Sequence, residues 1–310
     1  MKIAFFEIKE EEKQFFESGL KEHELSFFNE TIQDALIKTE AYDAVSVFVH
    51  SHITDDILNK LPKLTYLQTR STGYDHIKCT QLYERNIKVS NVVGYGGPAV
   101  AEFAFSLLLN ATRKTHIALD RSKHGDANYV DLKGIELFGK TIGILGLGTI
   151  GLQMAKIAKG FGMEVLGYSR TQKPLFDELG IRFTSLEEVL KNADIIMPAL
   201  PLTPATQNLI NLQNSHLIKK EAMIINTARG EIIEASLYDT LPNMIACDVC
   251  SNITLAQKEN FFFTPHMAYY TKEALERILM ISLENMEQFL AGKIPQNCLR
   301  LSCAKEYGSL

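Results

Sequence analysis

The stretch TIGILGLGTIGLQMAKIAKGFG, residues 141–162, decides the fold of this chain. It opens on an apolar, strand-like run and passes through GLGTIG, residues 146–151. It then continues as a helix-like pattern that stops at glycines. A G-x-G-x-x-G alone marks only a tight turn. Between a strand and a helix it is the fingerprint of a dinucleotide site. Gly146 permits the turn, Gly148 lets the backbone approach a pyrophosphate, and Gly151 lets the helix pack closely on the strand. The first turn of the helix then offers free N–H groups and a positive dipole end to the phosphates.

Working outward, the next strand, EVLGYS, ends at Ser169 and Arg170. An NAD site usually carries an acid there, which accepts from the ribose 2′-OH. A hydroxyl followed by a guanidinium suits a 2′-phosphate instead, so NADP is favoured over NAD. The plain alternative is a solvated arginine at a strand end. Further strands follow as DIIMPAL, AMIINTA, MIACDVC and NFFFTPH, with a capping box at Ser185-Leu186-Glu187-Glu188 opening a helix between them. Their near-continuous apolar character fits strands buried on both faces. Before Thr141, a second alternating series runs KIAFFEI, DAVSVFV, LTYLQTR and IKVSNV, with helix-like EEEKQFFESGLKEH and TDDILNKL between. Such alternation predicts parallel sheets with crossover helices. Pro98 opens an apolar helix that could link the two series.

The chain has 310 residues, enough for about two domains. Its net charge of −5 excludes the basic footprint of a nucleic-acid binder. The N-terminus, MKIAFFEIKEEEKQ, is too short in apolar residues and too acidic for a signal peptide. No apolar run is long enough for a membrane span. Five cysteines, an odd number in a long chain, argue against a disulfide framework. Cys247 and Cys250 form a lone CxxC in a strand-like run, with no second pair to complete a zinc site, so no metal is expected. A cytoplasmic location is the expectation.

Three strand ends supply chemistry. INTARGEII, residues 225–233, places Arg229 just past a buried strand. IACDVC gives Asp248, and FFFTPH gives His266. Ligands in such folds bind beyond the carboxyl ends of strands. Arg229 there could hold a carboxylate as a bidentate pair and polarise a neighbouring carbonyl. His266 reads either as a satisfied core histidine or as a proton donor.

With these motifs in order, the chain resembles the D-isomer-specific 2-hydroxyacid dehydrogenases over nearly its whole length. The resemblance is carried by RSTGYDHI (70–77), VVGYGGPAVAEFA (92–104), GILGLGTIG (143–151), LPLTPAT (200–206), INTARGEII (225–233), ACDV (246–249) and TPHMAYYT (264–271). It implies an α/β protein of two Rossmann-like parallel-sheet domains, the cofactor domain inserted into a split substrate domain. The substrate domain would be 1–97 completed by 270–310, and the dinucleotide domain 98–269. The implied activity is hydride transfer between NAD(P)H and a small 2-oxo acid, giving a D-2-hydroxy acid, with pyruvate, glyoxylate or hydroxypyruvate as candidates. Arg229 would bind substrate and His266 would pass the proton. Ser71, Thr72 and Gly73 would hold the substrate carboxylate, with Tyr95 and Tyr269 lining the pocket; both tyrosines read equally well as half-buried aromatics. Besides the glycines, Ser169 and Arg170, cofactor contacts would fall on Thr149, Ile150, Leu200, Pro201, Thr206, Thr227 and Ala228. Asp248 would take the nicotinamide carboxamide. A homodimer is implied, with the helix after Pro98 as the expected contact.

The chain departs from the family at one acidic position, and it is shorter than the family pattern between Arg229 and Asp248 and again between Asp248 and His266. A catalytic glutamate normally follows the aspartate by a few residues. Here the run is Asp248-Val249-Cys250-Ser251-Asn252-Ile253, and Ile253 stands where the acid belongs. Glu259 is the nearest acid in sequence that could substitute; otherwise it is an exposed loop residue. The rival expectation is an NAD(P)-binding regulatory or scaffold protein with little turnover.

Overall fold

The computed structural model describes residues 1–35, 42–77, 79–250 and 252–299. In chain order the elements are β1 (Lys2–Phe5), α1 (Glu10–Gly19), β2 (Glu24–Phe27), β3 (Ala44–Val47), α2 (Asp55–Asn59), β4 (Tyr66–Thr69), α3 (Gln81–Glu84) and β5 (Lys88–Ser90). Then come α4 (Gly97–Arg113), α5 (Thr115–Lys123), β6 (Thr141–Leu145), α6 (Thr149–Gly160), β7 (Glu164–Tyr168), α7 (Pro174–Glu178), β8 (Ile181–Phe183) and α8 (Leu186–Asn192). The series ends with β9 (Ile195–Pro198), β10 (Met223–Asn226), α9 (Ala235–Thr240), β11 (Met244–Cys247), β12 (Phe261–Phe263) and α10 (Lys272–Leu290). Short 3-10 turns at Gly230–Ile232 and Ile253–Gln257 follow β10 and β11.

The chain divides into two compact units, one of residues 1–95 with 272–310, the other of residues 96–271 inserted between those segments. The first holds a parallel five-stranded sheet in the order β2-β1-β3-β4-β5. Alternation along β1 sends Ile3 and Phe5 to one face and Ala4 to the other. The Ile3 face is closed by Phe16 of α1 and Met286 of α10, and Phe289 stacks on Tyr66 at 4.3 Å between ring centroids. Gln68 of β4, fully buried, donates from Nε2 to the Ser282 carbonyl of α10 at 2.8 Å.

The second unit holds a parallel seven-stranded sheet in the order β12-β11-β10-β9-β6-β7-β8. Strand order reverses between β6 and β9, which is the doubly wound arrangement with its switch point there. On one face Ile142 and Ile144 share a core with Met154, Ala155 and Ala158 of α6 and with Phe105 and Leu108 of α4. The apolar helix after Pro98, expected as a link, is therefore a core element of this unit. The other face buries Leu145, Ile196, Ile224 and Ile245 under α8 and α9. Among the described residues no helix is long and apolar enough to cross a membrane, and Cys79, Cys247, Cys250 and Cys298 are free thiols.

Candidate active site

At the switch point the chain leaves β6 through Gly146, whose φ of +105° is a conformation side chains resist. A Cβ here would lie 2.6 Å from the Ala199 carbonyl oxygen and 2.9 Å from Leu200 Cδ2. At Gly151 a Cβ would run into the Gly146 carbonyl oxygen, so α6 can start this close to β6 only without one. Gly148 differs, because nothing lies within 4 Å of the place a Cβ would take. It is the N-cap of α6 and no side chain caps that end. The first-turn N–H groups, at Thr149, Ile150 and Gly151, have no intrahelical acceptors by the geometry of a helix start. Gly148 and Thr149 are exposed. This is a cradle open to an anion.

Register places the neighbouring strand ends at one level. Leu145 pairs with Tyr168 of β7 and with Pro198 of β9, and the Gly146 N–H donates to Tyr168 O at 2.8 Å. Ser169 is half-buried and Arg170 exposed at that edge. Beyond β9, Leu200 is half-buried and Pro201 exposed; the Thr206 hydroxyl donates to Pro201 O at 2.6 Å, which closes the 200–206 loop.

Across the other half of the sheet, Asn226, Cys247 and Phe263 are aligned, so Thr227, Asp248 and Thr264 leave their strands side by side. The Thr227 hydroxyl is buried and has no hydrogen-bond partner among the described residues. Asn226, fully buried, shapes the turn that follows: its Oδ1 accepts from Ala228 N at 3.0 Å and its Nδ2 donates to Arg229 O at 2.9 Å. The Tyr238 hydroxyl braces the same turn by donating to Gly230 O at 2.9 Å. Burial holds this phenol well above its usual range and pushes the neighbouring Cys247 thiol up to about 12. Arg229 is half-buried, with one Nη donating to Ala228 O at 2.8 Å.

Asp248 is buried and accepts three protein donors: the Thr264 hydroxyl at 2.5 Å, Met267 N at 3.0 Å and Ala268 N at 2.8 Å. His266 lies inside that turn, exposed, with φ +54°, and its ring meets Tyr269 edge-on at 6.3 Å. Glu259 is exposed and precedes β12, whereas His266 follows it. The three residues of β12 alone span about 10 Å. β12 thus lies between the two residues in the chain. Ile253 opens the 3-10 turn after Asn252, and Ser251 of the same run lies outside the described residues.

In the first unit, the stretch after β4 is held just as firmly. Arg70 is buried beneath it, donating to Phe6 O at 2.6 Å, Glu7 O at 2.9 Å and Ser46 Oγ at 3.1 Å. Burial pulls this guanidinium down to about 10, against the charges of Glu12 and Glu7. Ser71 Oγ bonds Thr69 Oγ1 and the Gly73 carbonyl, both at 2.7 Å, and Thr72 Oγ1 donates to Val92 O at 2.7 Å. Side-chain oxygens are thus spent on the loop itself. Among the described residues the N–H groups of Thr72 and Gly73 donate to no protein acceptor. Tyr95 is buried, and its carbonyl accepts from Arg277 Nε at 2.8 Å. The supporting residues Asn226, Tyr238 and Thr264 escape a reading of strand ends, because their spacing is set by the turns they close. No group of His, Cys, Asp and Glu among the described residues could hold a metal ion.

A doubly wound parallel sheet, with a glycine cradle at its switch point, defines a dinucleotide-binding unit. Residues 105–268 match the model of the D-isomer specific 2-hydroxyacid dehydrogenase NAD binding domain. The chain belongs to that family of nicotinamide-dependent oxidoreductases. A glyoxylate reductase of Aeropyrum pernix is 33% identical over 87% of this chain and 86% of its own. D-Lactate dehydrogenase from Aquifex aeolicus, solved with NAD and lactic acid, superposes with a TM-score of 0.88 at 28% identity, over 96% of this chain and 98% of that one. An acyclic imino acid reductase in complex with NADPH and D-Arg gives 0.85 at 28% identity, over 96% and 100%.

Proposed function

We propose that the protein reduces a small 2-oxo acid, such as pyruvate, glyoxylate or hydroxypyruvate, to the D-2-hydroxy acid, and that it prefers NADPH. The observation that carries this reading is the convergence, at the carboxyl edge of one sheet, of the Gly148 cradle, Arg229 and the His266 turn. The residues present fit a dinucleotide. The cradle is open where a Cβ would stand, and the orphaned Thr227 hydroxyl sits two residues before Arg229. The first-turn N–H groups of α6 would hold the pyrophosphate, and Ser169 with Arg170 the ribose 2′-phosphate. Bound nicotinamide supplies the hydride.

The chain's own groups do the rest. The N–H groups of Thr72 and Gly73 suit a carboxylate, which needs donors that the loop has not already spent. Arg229, its turn fixed by Asn226 and Tyr238, presents a planar donor fork that polarises the carbonyl under attack. His266 donates the proton to the developing alkoxide. Tyr95 and Tyr269 would shape the pocket, and α4 is the element through which a homodimer would form. The glyoxylate reductase and the D-lactate dehydrogenase named above act on short acids, which supports that part of the reading; the latter was solved with NAD and the imino acid reductase with NADPH, so the cofactor preference rests on Ser169 and Arg170. Binding without turnover is the second reading, favoured by Ile253 at the place of the family's acid.

The test is oxidation of NADH and of NADPH by the pure protein with a panel of 2-oxo acids, with chiral analysis of the product. Cofactor binding with no turnover on any acid would hand the case to the binding protein. Ser169→Asp with Arg170→Ala should reverse the cofactor preference, because a carboxylate repels the 2′-phosphate and accepts from the 2′-OH. Tighter NADH than NADPH binding by the parent would remove Arg170 from cofactor choice.

A further inference from the structure

We infer that Asp248 is the positioning residue of His266, acting through the backbone of the 264–268 turn. The catalytic meaning of this inference rests on the reading of His266 as proton donor. Its geometric content stands without that reading.

His266 adopts φ +54°, a left-handed conformation uncommon for a non-glycine residue. The contacts that hold it are identifiable. A left-handed residue turns the N–H groups that follow it towards a common point, forming a small anion-binding concavity. Here those N–H groups belong to Met267 and Ala268, and both donate to the Asp248 carboxylate, one to each oxygen. The Thr264 hydroxyl donates to the same Oδ1 at 2.5 Å and ties the front of the turn to the back. His266 N closes a tight turn on Thr264 O at 2.9 Å. Asp248 is itself held in place, because its N–H donates to Asn226 O at 2.9 Å and it leaves β11 at the level of Thr264. The histidine thus sits on a clasp whose jaws are one carboxylate and one hydroxyl.

This changes the part expected of Asp248. A carboxylate offers about four lone-pair sites, and three here are occupied by the clasp. The one that remains is enough to accept from the nicotinamide carboxamide, so the clasp and that contact can coexist. The clasp fixes from beneath the backbone from which the His266 ring projects. A carboxylate in a nest is a charge-assisted acceptor, which a neutral amide replaces poorly. In Asp248→Asn the amide nitrogen must face one of the N–H donors, so one jaw opens.

The experiment follows the histidine ring directly. Ring-labelled histidine gives one imidazole signal for each of the eight histidines, and His266→Gln assigns the one of interest. The parent should show a single sharp His266 signal. Asp248→Asn and Thr264→Val should shift it and broaden or double it, while Thr264→Ser, which keeps the hydroxyl, should restore it. In the same set, kcat should fall by about 10–100-fold for Asp248→Asn, the scale of a catalytic group displaced by an ångström. Thr264→Val should lose a smaller factor, with the KM for NADPH and its dissociation constant near the parent's. His266 signals unchanged in both Asp248→Asn and Thr264→Val would overturn the inference. So would a loss confined to cofactor affinity, which would make Asp248 a cofactor ligand. If Asp248→Asn fails to fold, Thr264→Val against Thr264→Ser still decides. A parent that binds cofactor but reduces no 2-oxo acid defeats the reductase reading alone; the ring signals then judge the clasp separately.

Discussion

The same methyl group, added at two glycines of one loop, should do opposite things. At Gly151 the new Cβ would stand on the Gly146 carbonyl oxygen and 3.2 Å from Ile144 Cγ2. Neither can retreat, since one is strand-end backbone and the other is fully buried. The start of α6 must lift off β6, although Met154, Ala155 and Ala158 anchor it in the core. Overpacking of this kind costs about 1–3 kcal/mol, offset in part by alanine's better helix propensity. For a unit of this size a net loss of about 1–2 kcal/mol lowers Tm by roughly 2–8 °C. At Gly148, φ is −82° and nothing lies within 4 Å of the Cβ position. Gly148→Ala should therefore fold as the parent does, with Tm within about 2 °C. Its methyl, however, stands where the pyrophosphate backbone approaches, so NADPH affinity should drop by at least about tenfold. Thermal unfolding and a fluorescence titration of NADPH, on both variants, make the comparison. Equal Tm losses, or parent-like NADPH binding by Gly148→Ala, would refute the assignment of these glycines.

Arg229→Lys keeps the charge but loses the fork, and kcat/KM for a 2-oxo acid should fall about 30- to 1,000-fold with cofactor affinity unchanged. Unchanged turnover would remove Arg229 from the chemistry. Glu259→Gln should leave kcat and its pH dependence within about twofold of the parent, because Glu259 sits at the wrong end of a strand; a clear shift would mean the loop refolds in solution. Asp194 is pushed up by partial burial, but the Thr141 N–H and the Lys219 ammonium, each at 2.9 Å, leave it below the usual carboxylate value. A depressed folded-state pKa stabilises above the unfolded value of about 3.9 and stops doing so as pH falls through the folded one. Asp194→Asn should therefore be less stable than the parent at neutral pH, with the gap closing in acid below about pH 4; urea melts at both pH values measure it.

How much of this was legible in the sequence depended on where each segment lies in its sheet. Central strands such as β6, β9, β10 and β11 are buried on both faces and announce themselves as apolar runs. β2 and β8 escaped because they are edge strands, where short length and charged residues such as Glu24 and Arg182 blunt the pattern. Arg229, Asp248 and His266 could be placed at one sheet edge because parallel strands put all their carboxyl ends together. Sequence nearness says little for Glu259, since β12 lies between it and the histidine. It was also silent on the clasp, because nothing in the letters of Thr264 or Asp248 tells which backbone N–H groups a carboxylate will meet.

The insertion of one unit into the other carries a consequence for how the protein is made. The sheet of β1 to β5 is finished by residue 90, but Ile3, Phe5 and Tyr66 are covered by Met286 and Phe289, which lie almost two hundred residues later. Ribosomes extend chains at roughly 5–20 residues per second, so the part of this face that Phe16 does not cover waits about 10–40 s for α10. Over that interval the inserted unit emerges whole and can fold, while the nascent sheet holds an aromatic surface open to chaperones and to neighbouring chains on the same message. Slower translation between codons 95 and 290 should therefore lower the share of chains that reach the native state.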